Sequence, residues 1–158
     1  MDEIAEAAGV GRSTLFNYFA RKDDIVAALV VERREALSPV VARIMNGRRS
    51  TASALRTILD EMARWYEADR EVNRSYIAAL LRGGNPALPG WFDNASLFAD
   101  VIARGQAIGD VRPELDANAA GLLLLDGYLG ILYRWSADTY PVPDLRRAFA
   151  EMVAVVVS

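Results

Sequence analysis

The chain has 158 residues, of which 53% are hydrophobic and 25% are charged, a composition typical of a folded globular protein and not of a disordered one. Cysteine and histidine are absent, which excludes disulfides, thiolate nucleophiles, imidazole metal ligands and histidine acid–base catalysis. The net charge of −3 gives the chain as a whole no basic surface for nucleic acid, and no apolar run approaches the roughly 18 residues of a membrane span.

The first 22 residues predict two short helices separated by a tight turn. Gly9 ends the first helix because glycine accepts a positive φ, and Gly11 is an acceptable N-cap for the second. We expect Val10 to pack in the turn under both helices. Leu15 and Phe19 lie four residues apart on the buried face of the second helix.

The opposite faces of this second helix carry side chains that are suited to phosphates and to base edges. These outward side chains are Arg12, Ser13, Thr14, Asn17 and Tyr18. Two helices joined in this way are typical of a helix-turn-helix, whose second helix enters the DNA major groove. The alternative is a helical hairpin that packs as core, with Arg12 and Lys22 merely solvated.

The segment IAEAAGVGRSTLFNYFARKDDIV resembles the DNA-binding signature of the TetR-type transcriptional repressors. The resemblance implies that Lys22, at the start of the next helix, meets a DNA phosphate. Phe16 stands where the family usually has tyrosine, so a hydroxyl that binds phosphate is missing. The resulting set of predicted DNA-binding residues is Arg12, Ser13, Thr14, Phe16, Asn17, Tyr18 and Lys22.

The resemblance also implies a DNA-binding domain of three helices, of which this chain begins inside the second. We expect the first helix to be absent, through a start codon assigned too late or through truncation. Ile4, Ala5, Leu15 and Phe19 would then lose the helix that covers them. We expect residues 1–20 to be loosely ordered as a result.

The remaining pattern is helical throughout, and we predict an all-α chain with no β alternation beyond a few residues. Pro39 interrupts the third helix, whereas Ser50 or Thr51 and then Asp116 are good N-caps. The predicted helices after the turn motif span about 22–46, 51–68, 72–81, 91–108, 117–137 and 144–157, with loops at 83–90 and 141–143. Residues 1–45 form the partial helix-turn-helix domain with its connecting helix, and residues 46–158 form a helical bundle for ligand binding and dimerisation.

The stretch GDVRPELDANAAGLLLLDGYLGILYRW is similar to the region that leads into the penultimate helix of the same family. The resemblance implies that the last two helices of each subunit form a four-helix dimer interface. Residues 117–135 are apolar nearly all round, and their glycines would let a partner backbone come close. The predicted interface residues are Gly121, Gly127, Gly130, Ile131, Val153 and Val156. The alternative is an internal core in a monomer.

The resemblance also implies that the helices after the DNA-binding domain enclose an inducer pocket. The many aromatic residues in these helices favour a small apolar or aromatic effector. The candidate pocket residues are Trp65, Tyr66, Tyr76, Trp91, Phe98, Ile102, Gln106, Asp126 and Tyr128. Asp126 follows four leucines, and a buried carboxylate there needs a partner such as Arg104. Otherwise Asp126 reaches solvent at a helix edge.

We therefore expect a DNA-binding transcriptional regulator, a ligand-released repressor that acts as a homodimer on a palindromic operator. The alternative is a dimeric helical bundle that binds a small molecule and does not bind DNA in this truncated form. Without histidine, cysteine or a convergent polar set, we expect no enzyme activity, no cofactor and no metal. No signal peptide or membrane span is visible, which favours the cytoplasm.

Overall fold

The computed structural model describes residues 1–82, 91–137, 142 and 144–157, and all regular secondary structure in these ranges is α-helical. The predicted all-α fold is confirmed. The helices are α1 (Asp2–Ala7), α2 (Arg12–Tyr18), α3 (Lys22–Met45), α4 (Thr51–Ala68), α5 (Arg70–Arg82), α6 (Trp91–Ala107), α7 (Ala117–Ser136) and α8 (Leu145–Val156). The predicted loop at 83–90 and the prolines at 141 and 143 lie outside the described residues.

The chain divides into two compact units, Met1–Ala36 and Leu37–Ser158, each of which is described by itself. The division falls within α3, whereas the predicted domain boundary lies at the end of that helix. No helix in the part of the chain that the structure describes is long and apolar enough to cross a membrane.

Helix starts in the second unit are set by the local signals that the sequence carries. The Asp116 carboxylate accepts hydrogen bonds from the backbone N–H groups of Asn118, at 2.9 Å, and Ala119, at 3.1 Å. Ser50 and Asp144 cap α4 and α8 in the same way. The predicted long helix over about 22–46 is confirmed, and α3 continues through Pro39 to Met45. Pro39 has no N–H to donate to the Glu35 carbonyl, and both residues are exposed, so this missing hydrogen bond lies on the solvent side of α3.

The core of the second unit is built from the apolar faces of α4, α6, α7 and α8. Leu55, Ile58, Phe98, Leu124 and Phe149 are each at most 1% exposed. Buried residues recur at three- and four-residue spacing along a helix, as Leu55, Leu59 and Met62 do in α4, which places them on one face. The dominant stabilisation of this unit is therefore apolar burial between long helices.

A polar junction ties the end of α6 to the segment between α3 and α4. The buried guanidinium of Arg104 donates to the Arg49 carbonyl at 3.1 Å and to the Gly47 carbonyl. The Thr51 backbone N–H donates to the Asp110 carboxylate at 2.5 Å, and this hydrogen bond lowers the pKa of Asp110. Because these contacts are 55 to 59 residues apart in sequence, they fix a tertiary arrangement and not a local turn.

A second polar contact joins α4 to α8. Arg146 donates from Nε to Asp60 at 2.8 Å and from an Nη to the other carboxylate oxygen at 2.6 Å. This is the bidentate geometry in which arginine binds a carboxylate most specifically. The hydrogen bonds from Arg146 lower the pKa of Asp60, against a smaller opposing effect of burial.

Candidate nucleic-acid interface and ligand-binding bundle

Backbone hydrogen bonds close the turn between α1 and α2. Gly9 has φ +65°, and its N–H donates to the Glu6 carbonyl at 3.1 Å. The N–H of Val10 donates to the Ala5 carbonyl at 3.0 Å, which completes a Schellman motif. Val10 is 40% exposed, so the expectation that it packs under both helices is wrong, because the left-handed turn at Gly9 carries it outward.

The second helix is anchored from one face only. Leu15 is 8% exposed, Ala5 of α1 is 4% exposed, and Phe19 is half-buried where the helix ends. Every side chain of α2 other than Leu15 is exposed, and Tyr18 is the most exposed of the large apolar ones at 78%. All members of the predicted DNA-binding set whose side chains the structure describes are therefore exposed. They are Arg12, Ser13, Thr14, Phe16, Asn17 and Tyr18.

Lys22 is the first residue of α3, as predicted, although its side chain lies outside the described residues. The start of this helix is fixed by Asp24, whose carboxylate accepts from the backbone N–H of Arg21 at 2.8 Å. An acidic side chain in the first turn also favours the helix dipole. The predicted role of Lys22 at a DNA phosphate stays a prediction.

Arg12 makes two contacts that the sequence pattern did not reveal. Its Nε lies 3.0 Å from the Asp2 carboxylate, and both side chains remain about two-thirds exposed. Its guanidinium carbon lies 5.5 Å from the centroid of the Phe16 ring, within cation–π range. Phe16 was interpreted only as a tyrosine without its hydroxyl, yet its ring also supports the arginine one turn before it.

In the second unit, two tyrosines at predicted pocket positions meet in the core. The Tyr66 and Tyr128 hydroxyls are 2.7 Å apart, and both side chains are buried. Tyr128 stacks on Phe149 at 5.3 Å and meets Phe98 edge-on at 6.4 Å. The structure therefore brings three predicted pocket residues together as an aromatic cluster around a pair of hydroxyl groups.

Other predicted pocket residues lie elsewhere. Gln106 hydrogen-bonds the carbonyls of Arg112, Pro113 and Leu115, so its amide holds the turn after α6, and its predicted contact with an effector stays a prediction. Asp126 is exposed, so the alternative in which it reaches solvent is confirmed.

The remaining members of the predicted pocket set differ in burial. Ile102 is fully buried in the core, and Trp65 is half-buried and packs against the core. The Tyr76 and Trp91 side chains lie outside the described residues.

The α7 glycines have different environments. A Cβ on Gly121 would lie 2.5 Å from the Ala95 carbonyl oxygen, and a Cβ on Gly127 would lie 2.6 Å from the Met152 sulfur. The close approach expected from a partner chain is thus made inside this chain, by α6 and α8. Gly130, by contrast, is exposed with nothing within 4 Å of its added Cβ.

Ile131 and Val153 of the predicted dimer set are also core residues of this chain, whereas Val156 is half-buried. Three accessible apolar side chains of α7 lie at positions outside the predicted dimer set. Leu122 is 49% exposed, Leu123 57% and Tyr133 57%. We call these three residues, together with Gly130, the α7 outer face.

An open groove of about 590 Å³ runs between α7 and α8. Its apolar floor includes Gly127, Ile131, Ala148 and Met152. Its rim carries both signs of charge, from Arg134 and Arg147 and from Asp144 and Glu151.

Comparison with known proteins agrees with this description. Residues 1–29 match the family model described as bacterial regulatory proteins, tetR family. The first 29 residues are thus of the type found in the tetR family of bacterial regulatory proteins. The match covers α1, the turn, α2 and the start of α3, which are the elements that present the exposed surface of α2.

One relative and one solved structure extend the likeness beyond the N-terminal unit. The A-factor receptor protein of Streptomyces griseus is 28% identical over 96% of this chain, and the chain spans about half of that relative, 52% of its length. The crystal structure of Thermus thermophilus FadR, a TetR family transcriptional repressor in complex with lauroyl-CoA, matches with a TM-score of 0.69 at 24% identity. That match covers 98% of this chain and 80% of the other, and it shows that the fold is shared.

Proposed function

We propose that this protein is a DNA-binding transcriptional repressor that acts as a homodimer on a palindromic operator and is released by a small effector. The observation that carries the proposal is the surface of α2, where all side chains but the anchor Leu15 are exposed behind a helix-turn-helix bend. Two such helices would enter successive major grooves about 34 Å apart.

The charge of the first unit limits how such binding works. Residues 1–36 contain seven acidic and five basic side chains, so general attraction to phosphates is weak. Affinity must then come from specific contacts of α2 and from the use of two copies at once. We expect a measurable but shallow salt dependence, because each phosphate contact adds only about 0.9 to the slope of log K against log salt.

The test is fluorescence anisotropy with duplexes that tile the promoter region of the protein's own gene, over a salt series. We expect one duplex to bind more tightly than the rest, and Asn17→Ala to weaken that binding. Asn118→Ala removes the same exposed group from α7 and should leave it unchanged. If no duplex binds, or if both variants behave alike, the proposed contact surface is wrong.

We propose that the dimer forms through the α7 outer face and the groove between α7 and α8. Leucines that are about half exposed on a helix of a globular domain indicate a covered surface in the assembly. The mixed charges on the groove rim suit a two-fold contact, in which the same patch meets itself. A stable interface needs about 800 Å² from each partner.

We place the effector at the aromatic cluster around Tyr66 and Tyr128. An apolar surround with two convergent hydroxyls suits a mostly apolar molecule that carries a hydrogen-bonding group. The names of the relatives suggest lauroyl-CoA and A-factor as the first two probes. Repression is relieved only if the probe prefers the conformation that does not bind DNA.

The acidic excess of residues 1–36 favours one other function, a dimeric bundle that binds a small molecule and does not bind DNA. A probe that binds in a calorimeter, with no duplex bound at any salt concentration, would support this second function. A probe that releases a bound duplex would support the first.

A further inference from the structure

The outer face of α2 contains a single arginine, and this arginine is held at two points. Asp2 of α1 lies 3.0 Å from Nε, and the ring of Phe16 lies under the guanidinium at 5.5 Å. Asp2 reaches Arg12 across the turn, whereas Phe16 lies one helical turn further along α2. Arg12 is nevertheless 69% exposed, so the pair presents the guanidinium without covering it.

The contacts leave one edge of the guanidinium available. In the described part of the chain, the closest approach of Asp2 is to Nε, and no hydrogen bond occupies Nη1 or Nη2. These two nitrogens form the end-on edge that donates two parallel hydrogen bonds. In the major groove, guanine presents O6 and N7 as a matching pair of acceptors.

The carboxylate argues against a phosphate as the partner of Arg12. A phosphate that approached Arg12 would also approach the Asp2 carboxylate, which lies 3.0 Å from the Arg12 Nε. Phosphate and carboxylate are both negative and would repel each other. A guanine edge is neutral and carries no such penalty. Fixing the arginine in advance also reduces the side-chain entropy that is lost when it donates two directed hydrogen bonds.

We propose that Arg12 reads a guanine in the major groove and that Asp2 and Phe16 are positioning residues for it. This inference rests on the proposed DNA binding and adds one specificity determinant to it. Discrimination at one base pair should depend on Arg12, Asp2 and Phe16 together. The sequence-independent part of the affinity for DNA should not depend on them.

The experiment is selection from a randomised 30-base-pair duplex library, followed by measured affinities for the selected duplex and its point variants. Wild type should select guanine at one symmetric position in each half-site. Arg12→Gln should lose about 5- to 150-fold discrimination at that position and keep the rest of the motif. Asp2→Asn and Phe16→Leu should each reduce it by a smaller factor, about 2- to 5-fold.

Glu3→Gln is the matched control, because it removes the same charge from the same turn of α1 without touching the Arg12 ion pair. It should change affinity for all sequences alike and leave the guanine preference intact. Circular dichroism of each variant checks that α1 and α2 remain folded, which we expect since all four substituted side chains are exposed.

Two results would overturn this inference and leave the proposed function in place. If Arg12→Gln keeps the guanine preference while affinity falls uniformly and the salt slope drops by about one, Arg12 contacts a phosphate. If Asp2→Asn and Glu3→Gln have equal effects on the preference, Asp2 does not position Arg12. A wild-type protein that enriches no sequence refutes the proposed function as well, so the two failures are distinguishable.

Discussion

The α carbon of Gly121 in α7 lies against the backbone of Ala95 in α6, so closely that an added Cβ would be 2.5 Å from the Ala95 carbonyl oxygen. The same added Cβ would lie 2.9 Å from the backbone nitrogen of Ala99. Backbone atoms cannot move aside as a flexible side chain can. A methyl group at Gly121 must therefore separate two helices of the core.

Gly121→Ala should lower the free energy of unfolding by about 1–3 kcal/mol, since overpacking outweighs the better helix propensity of alanine. Gly130→Ala, in the same helix, meets nothing within 4 Å and should raise it by about 0.5–1 kcal/mol. Urea denaturation followed by circular dichroism measures both. Equal effects of the two substitutions would contradict the packing described for α6 and α7.

Arg104→Met should destabilise the second unit by about 2–3 kcal/mol. The substitution leaves the carbonyls of Gly47 and Arg49 without their donor, in a site where Arg104 itself is only 9% exposed. Arg112→Met removes an exposed arginine from the nearby turn and should be nearly neutral. Denaturation midpoints that coincide for the two variants would rule out the junction as a stabilising contact.

The contact between Arg146 and Asp60 predicts an acid-dependent stability. The pKa of Asp60 is lower in the folded state, so its stabilising effect is complete above the unfolded pKa of about 3.9 and is lost as pH falls through the folded pKa. Thermal melts of wild type and Arg146→Gln should thus differ by a constant amount above about pH 5 and converge in stronger acid.

Arg147→Gln serves as the control for that experiment. Arg147 pairs with Glu151 within α8, where both side chains are at least 66% exposed, so this pair joins no two helices. The melting temperature of Arg147→Gln should stay close to that of wild type. A difference between wild type and Arg146→Gln that persists unchanged at the lowest pH would show that Asp60 ionisation is not its source.

Leu123→Glu should shift the proposed dimer towards monomer, because it places a charge in the centre of the α7 outer face. Val72→Glu makes a matched change on α5, where the valine is 61% exposed and outside that face. Sedimentation velocity at micromolar concentration separates the two species. A dimer that survives Leu123→Glu, or that is lost equally in Val72→Glu, would place the interface elsewhere.

Features that depend on adjacent residues were predicted well from the sequence. Gly9, Ser50 and Asp116 end or start helices through hydrogen bonds that span no more than five residues, so their effects are readable locally. The exposed set on α2 follows from helical spacing around a single buried leucine. The resemblance supplied the order of the elements, which periodicity alone leaves open.

Features that depend on distant residues could not be predicted. Gly121 and Gly130 are the same residue in the same helix, and only the position of α6 makes one crowded and the other open. Arg104 was considered as a partner for Asp126, but its partners are carbonyls 55 and 57 residues away. The hydrogen bonds of Gln106 to three carbonyls were also missed, because a sequence does not show which backbone carbonyls lie within its reach.

The closure of the turn at Gly9 has a consequence for how this protein can change. The bend between α1 and α2 depends on main-chain hydrogen bonds and one left-handed glycine, and among the exposed side chains of α2 that the structure describes only Arg12 reaches α1, through its solvent-exposed ion pair with Asp2. Substitutions on that surface leave the main-chain hydrogen bonds of the bend intact, so under the proposed DNA binding new base preferences would arise by mutation without loss of the fold. Duplicated genes would then diverge in their targets while they keep the same scaffold.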